Sequence, residues 1–541
     1  MVWYESAMQL TISHATGTTS PPVHDTTIGQ ILRTAAAAAP DRAAIIEGIP
    51  DATARRQWTY AELDAAADQV ARALLHHFNP GDHIAIWAQN IPEWIILEFG
   101  IARAGMVIVT VNPGYQASEL RYVLNQSKAA GLFCVDSFRG NPMLAIANEV
   151  HAECPALRTI IRFAEWDEFV ASGDPNTELP DVQPTDAVMI QYTSSTTGFP
   201  KGALLHHRGL VNNATHFMDR LGVKDGDVYV TMMPLFHTAG SVMAVLGAVS
   251  HRSTQVLIEA FEPGLVLALT EQYRATALLG VPTMLIAMLE HENFATTDLS
   301  ALTGVCSGGS LVPEQLVRTF ERELGAPFTI VFGQTECSPV ATMTRPDDTM
   351  EDKSGTIGAP MPHVEIKVVD AETGATVPIG VVGELCTRGY HVMHNYFEMP
   401  EQTAEAIDAD GWLHTGDLAA MNARGYSSIE GRLKDMIIRG GENIYPRELE
   451  ELLFAHPSVG SVAVIGLPDD KWGETVAAFV RPTPGSTVNK DELFAYMREH
   501  LAAQKTPRHW FVLDEFPLTG SGKIQKFKLR ELWQEGAVTE L

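Results

Sequence analysis

The chain has 541 residues and a mass of 59.0 kDa, with 45% hydrophobic and 19% charged residues. This length predicts several packed units, and the composition excludes an intrinsically disordered chain and a small fold held together by disulfides or a metal. With 38 Lys and Arg against 66 Asp and Glu, the net charge of −28 repels polyanions and disfavours nucleic acid as a partner.

Residues 1–26 are rich in Ser, Thr, Pro and His, which predicts a loose N-terminal tail. From Thr27 onward, amphipathic helical patterns alternate with short β-branched runs, as is typical of parallel sheets covered by helices. Helical spacing predicts helices over Tyr60–Phe78, Ile91–Ala104 and Ser118–Asn125. Strands are predicted at His83–Trp87, Met106–Val111, Gly131–Val135, Val188–Tyr192, Ala275–Leu279 and Phe328–Phe332.

Past Gly425 the elements become shorter and more compact. The sequence predicts a helix that begins at Pro446, strands at Val459–Ile465 and Glu474–Arg481, and a helix over Lys490–Leu501. We therefore expect an α/β protein with a large N-terminal domain of parallel or mixed sheets (27–433) and a small, mobile α+β domain (434–541).

The five cysteines are scattered and lack a paired CxxC spacing, which argues against a disulfide framework or a zinc site and favours a reducing compartment. The N-terminus has no basic segment followed by an apolar one, and the apolar runs are far shorter than the roughly 20 residues that span a bilayer. We expect a cytoplasmic protein. Peripheral membrane contact and a homodimer stay open.

The segment Tyr192–Gly202, YTSSTTGFPKG, follows a predicted strand and carries the strongest chemical signal. Its hydroxyl groups, its glycine and its lysine are suited to cradle phosphate. It is not a Walker loop, because GxxxxGK followed by Ser or Thr cannot be aligned with it. A flexible polar linker is the alternative. The candidate phosphate ligands are Thr193, Ser194, Ser195, Thr196, Thr197, Gly198, Phe199, Pro200 and Lys201.

Four further side chains have both a plain and a functional interpretation. Glu336 follows a predicted strand, where ligands bind in open α/β sheets, and its carboxylate suits Mg2+. Asp417 and Arg432 are spaced so that both could hold a ribose. His237 lies in an apolar run. Considered singly, each is more simply an exposed charge or a buried core histidine.

The phosphate segment TSSTTGFPK resembles the TSGTTGxPK loop of the adenylate-forming superfamily, which includes acyl-CoA synthetases, luciferases and peptide-synthetase adenylation domains. The resemblance extends over nearly the whole chain, and its form is most similar to fatty-acyl-CoA synthetases of the medium-chain type. The other matching motifs are WTYAEL (58–63), NPGYQASELRYVLNQS (112–127), MPLFHTAG (233–240), SGGS (307–310), FGQTE (332–336), GELCTRG (383–389), GWLHTGD (411–417), GRLKDMIIRGGENIYP (431–446) and GSGKIQK (520–526).

The resemblance implies a fatty-acid–CoA ligase that uses ATP, Mg2+ and coenzyme A. It implies that the carboxylate attacks the ATP α-phosphorus and that the CoA thiol then attacks the acyl-adenylate. It assigns catalytic roles to Lys523, Glu336, Thr335 and His237, the metal to Glu336 and a hinge to Lys434. It also assigns nucleotide contacts to Gly309, Ser310, Phe332, Gly333, Asp417, Arg432, Gly440 and Gly441.

One residue departs from the family pattern. Ser195 stands where the family usually has glycine, and a serine held at positive φ costs roughly 1 kcal/mol. We expect Ser195→Gly to lower the apparent KM for ATP or to leave it unchanged.

Several alternatives to this function stay open. Within the family they are an acyl-AMP ligase that loads a carrier protein, an aryl-CoA ligase or other carboxylate-CoA ligase, and a peptide-synthetase adenylation domain. A non-catalytic nucleotide-binding or lipid-binding module is the alternative of another class. The short link from Asp417 to Arg432 and the GGEN turn favour the CoA route, and the presence of Lys523 and Glu336 favours catalysis.

Overall fold

The structure, a computed structural model, describes residues 9–193, 200–310, 312–440, 442–469, 471–483, 485–518 and 524–541. Its strands form four sheets, of which the two largest are mainly parallel and are covered by helices. The expected α/β class with mixed sheets is therefore confirmed.

Seven strands form the first large sheet, which we call sheet A. Five of them are parallel, and the last two in the spatial order pair antiparallel at one edge. In spatial order the strands are Thr159–Arg162, Gly131–Cys134, His83–Trp87, Val107–Thr110, Ala187–Thr193, Lys201–His206 and Asn395–Tyr396.

Nine strands form the second large sheet, sheet B. Its six inner strands are parallel, and antiparallel strands close both edges. In spatial order the strands are Gln57–Thr59, Ala43–Glu47, Thr254–Leu257, Val228–Thr231, Ala277–Leu279, Gly304–Gly308, Phe328–Gly333, Val340–Met343 and Ala359–Pro360.

Both faces of these two sheets are buried. In sheet A, Ile84 and Ile86 pack into the core between the sheets, while Ala85 and Trp87 pack into a second core on the outer face. In sheet B, Tyr229 packs into the same central core, while the next residue, Val230, packs into an outer core. Apolar residues at every position of a strand are the mark of a parallel sheet covered on both sides.

Helices in these layers begin where the sequence signals predict. Thr27 and Thr59 each cap a helix with a reciprocal capping box. The helices of the described segments are Ile28–Ala38, Tyr60–His77, Pro92–Arg103, Ala117–Gln126, Met143–His151, Trp166–Ala171, His207–Leu221, Gly247–Ser250, Pro263–Gln272, Pro282–Leu289, Glu314–Leu324, Met350–Gly355, Pro400–Ala406, Pro446–Phe454, Lys490–His500 and Lys526–Gln534. Short 3₁₀ turns lie at Phe163–Glu165, Phe294–Thr296, Thr335–Cys337 and Leu433–Asp435, and Ala239–Leu246 is a π-helix.

An antiparallel sheet, sheet C, includes part of the predicted loose tail. His14–Thr16 pairs with the strand Val364–Val369, and the buried Ser13 hydroxyl donates to the carbonyl of Pro378 at 2.9 Å. The prediction of a loose tail through residue 26 is therefore wrong for these residues, because a distant strand supplies their partner. In order the strands are His14–Thr16, Val364–Val369, Gly383–Gly389, Leu413–Met421 and Ser427–Arg432.

The fourth sheet, sheet D, comes from the C-terminal part of the chain. It begins after the 3₁₀ turn Leu433–Asp435, and separate apolar clusters cover its two faces. The helices beginning at Pro446, Lys490 and Lys526 accompany it. Its strands are Glu442–Ile444, Ile437–Arg439, Gly473–Pro482, Val459–Asp469 and His509–Val512. Within the segments that the structure describes, no helix is both long enough and apolar enough to cross a bilayer.

Candidate active site

The phosphate segment joins two paired strands at the edge of the parallel part of sheet A. Thr193 and Lys201 lie opposite each other, and the Thr193 hydroxyl donates to the Lys201 carbonyl at 3.4 Å. The Tyr122 hydroxyl donates to the carbonyl of Pro200 at 2.9 Å. Both ends of the segment are therefore held in place. The predicted ligands Ser194, Ser195, Thr196, Thr197, Gly198 and Phe199 lie outside the described residues.

Tyr396 lies between Glu336 and Lys201, the last candidate ligand of this segment. The Tyr396 hydroxyl donates to Glu336 Oε1 at 2.7 Å, and Lys201 Nζ lies 4.8 Å from the centre of the Tyr396 ring. Burial and then the Glu336 carboxylate raise the pKa of Tyr396, so the hydroxyl stays a donor. Glu336 is only 7% exposed, which contradicts the plain interpretation of an exposed loop glutamate.

The backbone around Glu336 explains its burial. The strand Phe328–Gly333 ends at Gly333, where an added Cβ would lie 1.9 Å from the carbonyl oxygen of Pro339. The chain then turns through Thr335–Cys337, and the Met393 amide donates to the Glu336 carbonyl at 2.9 Å. Phe332, before the turn, and Thr335, its first residue, are both half-buried. The turn thus places the carboxylate at the carboxyl end of a parallel strand, where α/β sheets bind ligands.

Asp417 and Arg432, which the sequence suggests for one ribose, contact each other. Arg432 Nε donates to Asp417 Oδ1 at 2.9 Å, across a hairpin in which the two residues are in register. Gln334 Nε2 donates to Asp417 Oδ2 at 2.9 Å and to the Thr415 carbonyl at 2.7 Å. The Asp417 side chain is 6% exposed and that of Arg432 is 42% exposed. A buried carboxylate whose two oxygens are both oriented is suited to accept hydrogen bonds from hydroxyl groups.

Gln334 and Tyr396 are candidates that sequence reasoning missed. Gln334 lies inside the FGQTE motif and follows a strand, which was an available signal. Tyr396 is 60 residues from Glu336 in sequence, and no spacing rule predicts that contact. Gln334 contacts the Asp417 carboxylate, and Glu336 contacts Tyr396, whose ring lies beside the Lys201 ammonium group. Residues 334–336 therefore lie between Asp417 and Lys201.

His237 lies two residues before the π-helix Ala239–Leu246 and close to the strand Ala187–Thr193 of sheet A. Its Nδ1 accepts from the Ala239 amide at 3.1 Å, and its carbonyl accepts from the Gly240 amide at 2.8 Å. Gln191 Nε2 donates to the Phe236 carbonyl at 2.9 Å and fixes this turn to the strand Ala187–Thr193. The ring is half-buried, and its proposed role on the acyl side of the site stays a prediction.

The remaining predicted residues fall into two groups. Gly309 (φ +78°) and Ser310 are exposed and directly follow the strand Gly304–Gly308. This strand is parallel to Phe328–Gly333, so both residues lie at the same carboxyl-terminal side of sheet B as Gly333. Gly440 (φ +62°) is a turn residue directly after the strand Ile437–Arg439 of sheet D, and its amide donates to the Trp472 carbonyl at 2.8 Å. The structure therefore places Gly440 at the end of a strand of the small sheet. Gly441 and Lys523 lie outside the described residues.

Lys434, the predicted hinge, lies in the 3₁₀ turn between sheets C and D, and the residue is exposed. Partial desolvation of its ammonium group, and then the Arg432 guanidinium, lower the pKa of that group, and the charges of Asp417 and Lys201 also act on it. The start of the small C-terminal unit is therefore close to the proposed nucleotide site.

Comparisons with known proteins agree with this geometry. The family model described as AMP-binding enzyme matches residues 32–397, and that described as AMP-binding enzyme C-terminal domain matches residues 448–523. YngI of Bacillus subtilis is 43% identical, over 93% of this chain and 96% of its own. The rat protein named medium-chain acyl-CoA ligase ACSF2, mitochondrial, is 35% identical over 97% and 90%. The crystal structure of ATP-bound MatB from Rhodopseudomonas palustris superposes with a TM-score of 0.85 at 29% identity, covering 94% of this chain and 99% of that one.

Proposed function

The chain belongs to the AMP-binding enzyme family, and we propose that it is an AMP-forming fatty-acid–CoA ligase. It would convert a fatty acid and ATP to acyl-AMP and pyrophosphate, and then pass the acyl group to coenzyme A. One observation supports this most strongly: the turn at 334–336 holds the Asp417–Arg432 pair on one side and the Tyr396–Lys201 pair on the other. This arrangement supports a single nucleotide with its ribose at Asp417 and its phosphates at Lys201.

The first half-reaction depends on position and charge. Asp417 would accept the ribose hydroxyls, with Arg432 and Gln334 fixing its orientation. The loop at 193–201 and the Lys201 ammonium would hold the phosphates, so that the carboxylate oxygen of the acid lies in line with the α-phosphorus and the departing pyrophosphate. Phosphoryl and nucleotidyl transfers gain most of their rate from such positioning and charge neutralisation.

We include Mg2+ in this proposal because Glu336 fits it. A buried carboxylate at a strand end, with one oxygen oriented by the Tyr396 hydroxyl, is a hard oxygen ligand of the kind that Mg2+ prefers. Glu336 would hold the ion together with the ATP phosphates. When bound, the ion would neutralise phosphate charge.

The second half-reaction requires the small unit to move. Lys523 belongs to the C-terminal part, whereas Glu336, Asp417 and the phosphate segment belong to the large part. A lysine that stabilises charge on the carboxylate and α-phosphate would crowd the path by which CoA reaches the carbonyl. We propose a boundary at residues 433 and 434, with rotation of 434–541 about Lys434.

Arginine removal tests the ribose assignment. In Arg432→Ala, the Asp417 carboxylate loses the guanidinium and, among the described residues, keeps its hydrogen bond from Gln334. We therefore expect the KM for ATP to rise about tenfold, or about 1.4 kcal/mol, with a smaller change in kcat. Initial rates against ATP concentration measure this. Arg424→Ala is the matched control, because Arg424 binds Asp352 at the opposite end of the same hairpin. Equal KM values in the two variants would contradict the assignment.

Restriction of the hinge tests the motion. Lys434→Pro fixes φ near roughly −65°, so we expect it to spare pyrophosphate exchange and to slow thioester formation from supplied acyl-AMP about tenfold or more. Lys434→Ala removes the same charge but leaves the backbone free, and it should keep both half-reactions. Equal slowing by alanine and proline would assign the effect to the side chain and contradict the hinge.

A substrate panel tests the proposed function itself. Hexanoate to stearate, benzoate and cinnamate are supplied with ATP, Mg2+ and CoA, and nucleotides and thioesters are quantified. We expect a fatty acid to give acyl-CoA and AMP in equal amounts. Preference for an aryl acid, or formation of acyl-AMP that CoA does not consume, would select one of the alternative ligases. Formation of ADP and phosphate would exclude adenylation.

A further inference from the structure

Three potential metal ligands lie together in sheet C, and Glu336 is not among them. Glu384 and Cys386 come from the strand Gly383–Gly389, and His414 from the neighbouring strand Leu413–Met421. Cys386 pairs directly with His414, and a register irregularity follows Glu384. The ligand atoms of the three side chains all lie within 4.8 Å of one another. The cluster therefore depends on strand pairing, and no CxxC spacing in the sequence predicts it.

The distances within the cluster suit a tetrahedral ion. Cys386 Sγ lies 3.5 Å from His414 Nδ1, and Nδ1 lies 2.7 Å from Glu384 Oε2. Bonds of about 2.3 Å to sulfur and about 2.0 Å to nitrogen at a tetrahedral angle separate the two ligand atoms by about 3.5 Å. The nitrogen and carboxylate oxygen would need to part by only about 0.7 Å to reach the separation of about 3.4 Å expected there.

The surroundings of the cluster resemble the outer shell of a metal site. Asp408 Oδ2 lies 3.7 Å from His414 Nε2, the nitrogen that does not face the cysteine. A carboxylate on the second ring nitrogen is the usual partner of a ligating histidine, because it fixes the tautomer. The Gly416 amide donates to Glu384 Oε1 at 3.1 Å, which orients the third ligand. Cys386 and Glu384 are buried and His414 is 27% exposed, so an ion could enter from the histidine side.

We propose that Glu384, Cys386 and His414 form a binding site for a thiophilic divalent cation, with Zn2+ as the expected ion. A soft thiolate and a borderline imidazole favour Zn2+ over Mg2+, and a single carboxylate is a common further ligand of Zn2+. On binding, the Cys386 thiol and the His414 Nδ1–H group each release a proton to solvent, and the ion replaces the hydrogen bond between His414 and Glu384. The ring keeps its proton on Nε2, the nitrogen nearer Asp408. Water completes the coordination.

Cobalt substitution tests the proposal on the full chain. Metal-free enzyme without ATP is titrated with Co2+, and the near-ultraviolet thiolate-to-cobalt charge-transfer band is recorded. We expect the band to saturate at one equivalent and to disappear when Zn2+ is added. Cys386→Ser should lack the band, and Cys154→Ser, which changes a buried cysteine of another core, should retain it. Asp408→Asn should weaken binding about 10- to 100-fold.

X-ray absorption of the zinc-loaded wild type makes the test independent of variant folding. One sulfur neighbour at about 2.3 Å is expected. No band with wild-type enzyme, a band that survives in folded Cys386→Ser, or a zinc shell of nitrogen and oxygen alone would each overturn the proposal.

Discussion

Lys523→Ala is expected to lower the rate of adenylation, measured by acid-dependent pyrophosphate exchange, by about 10²- to 10³-fold. In the proposed reaction its ammonium group approaches the carboxylate and α-phosphate oxygens as negative charge develops between them. Loss of one such preorganised donor typically costs that much in rate. The same variant should convert chemically supplied acyl-AMP and CoA to the thioester at close to the wild-type rate, because the lysine has no part in that step.

Lys526→Ala is the matched control for this variant. Lys526 follows Lys523 by three residues, and its ammonium group lies 2.6 Å from Glu450 Oε1. We expect this variant to adenylate at nearly the wild-type rate. If Lys523→Ala slowed both half-reactions equally, one fixed conformation would perform both steps and the two-state account would be wrong.

Glu336→Gln is expected to lower kcat/KM for ATP about 100-fold, or about 2.7 kcal/mol, and to raise the Mg2+ concentration at half-maximal rate. Glutamine keeps an oxygen that can accept from Tyr396, so the change removes the charge of the metal ligand while the turn at 335–337 is retained. Rates measured over a matrix of ATP and Mg2+ concentrations separate the two effects.

Tyr396→Phe separates the carboxylate from its partner. The substitution leaves the Glu336 charge in place but removes the hydroxyl that orients the carboxylate. We therefore expect kcat/KM for ATP to fall about tenfold, with an unchanged Mg2+ requirement. An unaltered Mg2+ requirement in Glu336→Gln would refute the metal assignment.

Much of the fold could be predicted from local patterns, because burial on both faces of a parallel sheet leaves a clear apolar signature. The strand at His83–Trp87 has the predicted bounds, and the helix predicted from Tyr60 ends one residue early, at His77. His14–Thr16 could not be predicted, because three residues carry no periodicity and their partner lies about 350 positions away. Such a strand depends on its sheet for stability.

In the site, too, local sequence motifs predicted some features and distant contacts determine the others. Ordered motifs identified Glu336, Asp417 and Arg432, and their roles at a nucleotide stay predictions. The contacts that orient them come from Gln334 and Tyr396, and the cluster around Cys386 depends on the pairing of two strands. These are tertiary properties that sequence spacing does not encode. The roles of Lys523 and of the loop hydroxyls from Ser194 to Thr197 stay predictions.

The path of the carboxylate oxygen tests the central claim most directly. A fatty acid with oxygen-18 in both carboxylate positions is turned over with ATP and CoA, and the products are analysed by mass spectrometry. If the carboxylate attacks the α-phosphorus and CoA then cleaves the carbonyl–oxygen bond, AMP acquires one labelled oxygen and the thioester keeps the other. Unlabelled AMP, or label in phosphate or pyrophosphate, would contradict an acyl-adenylate intermediate.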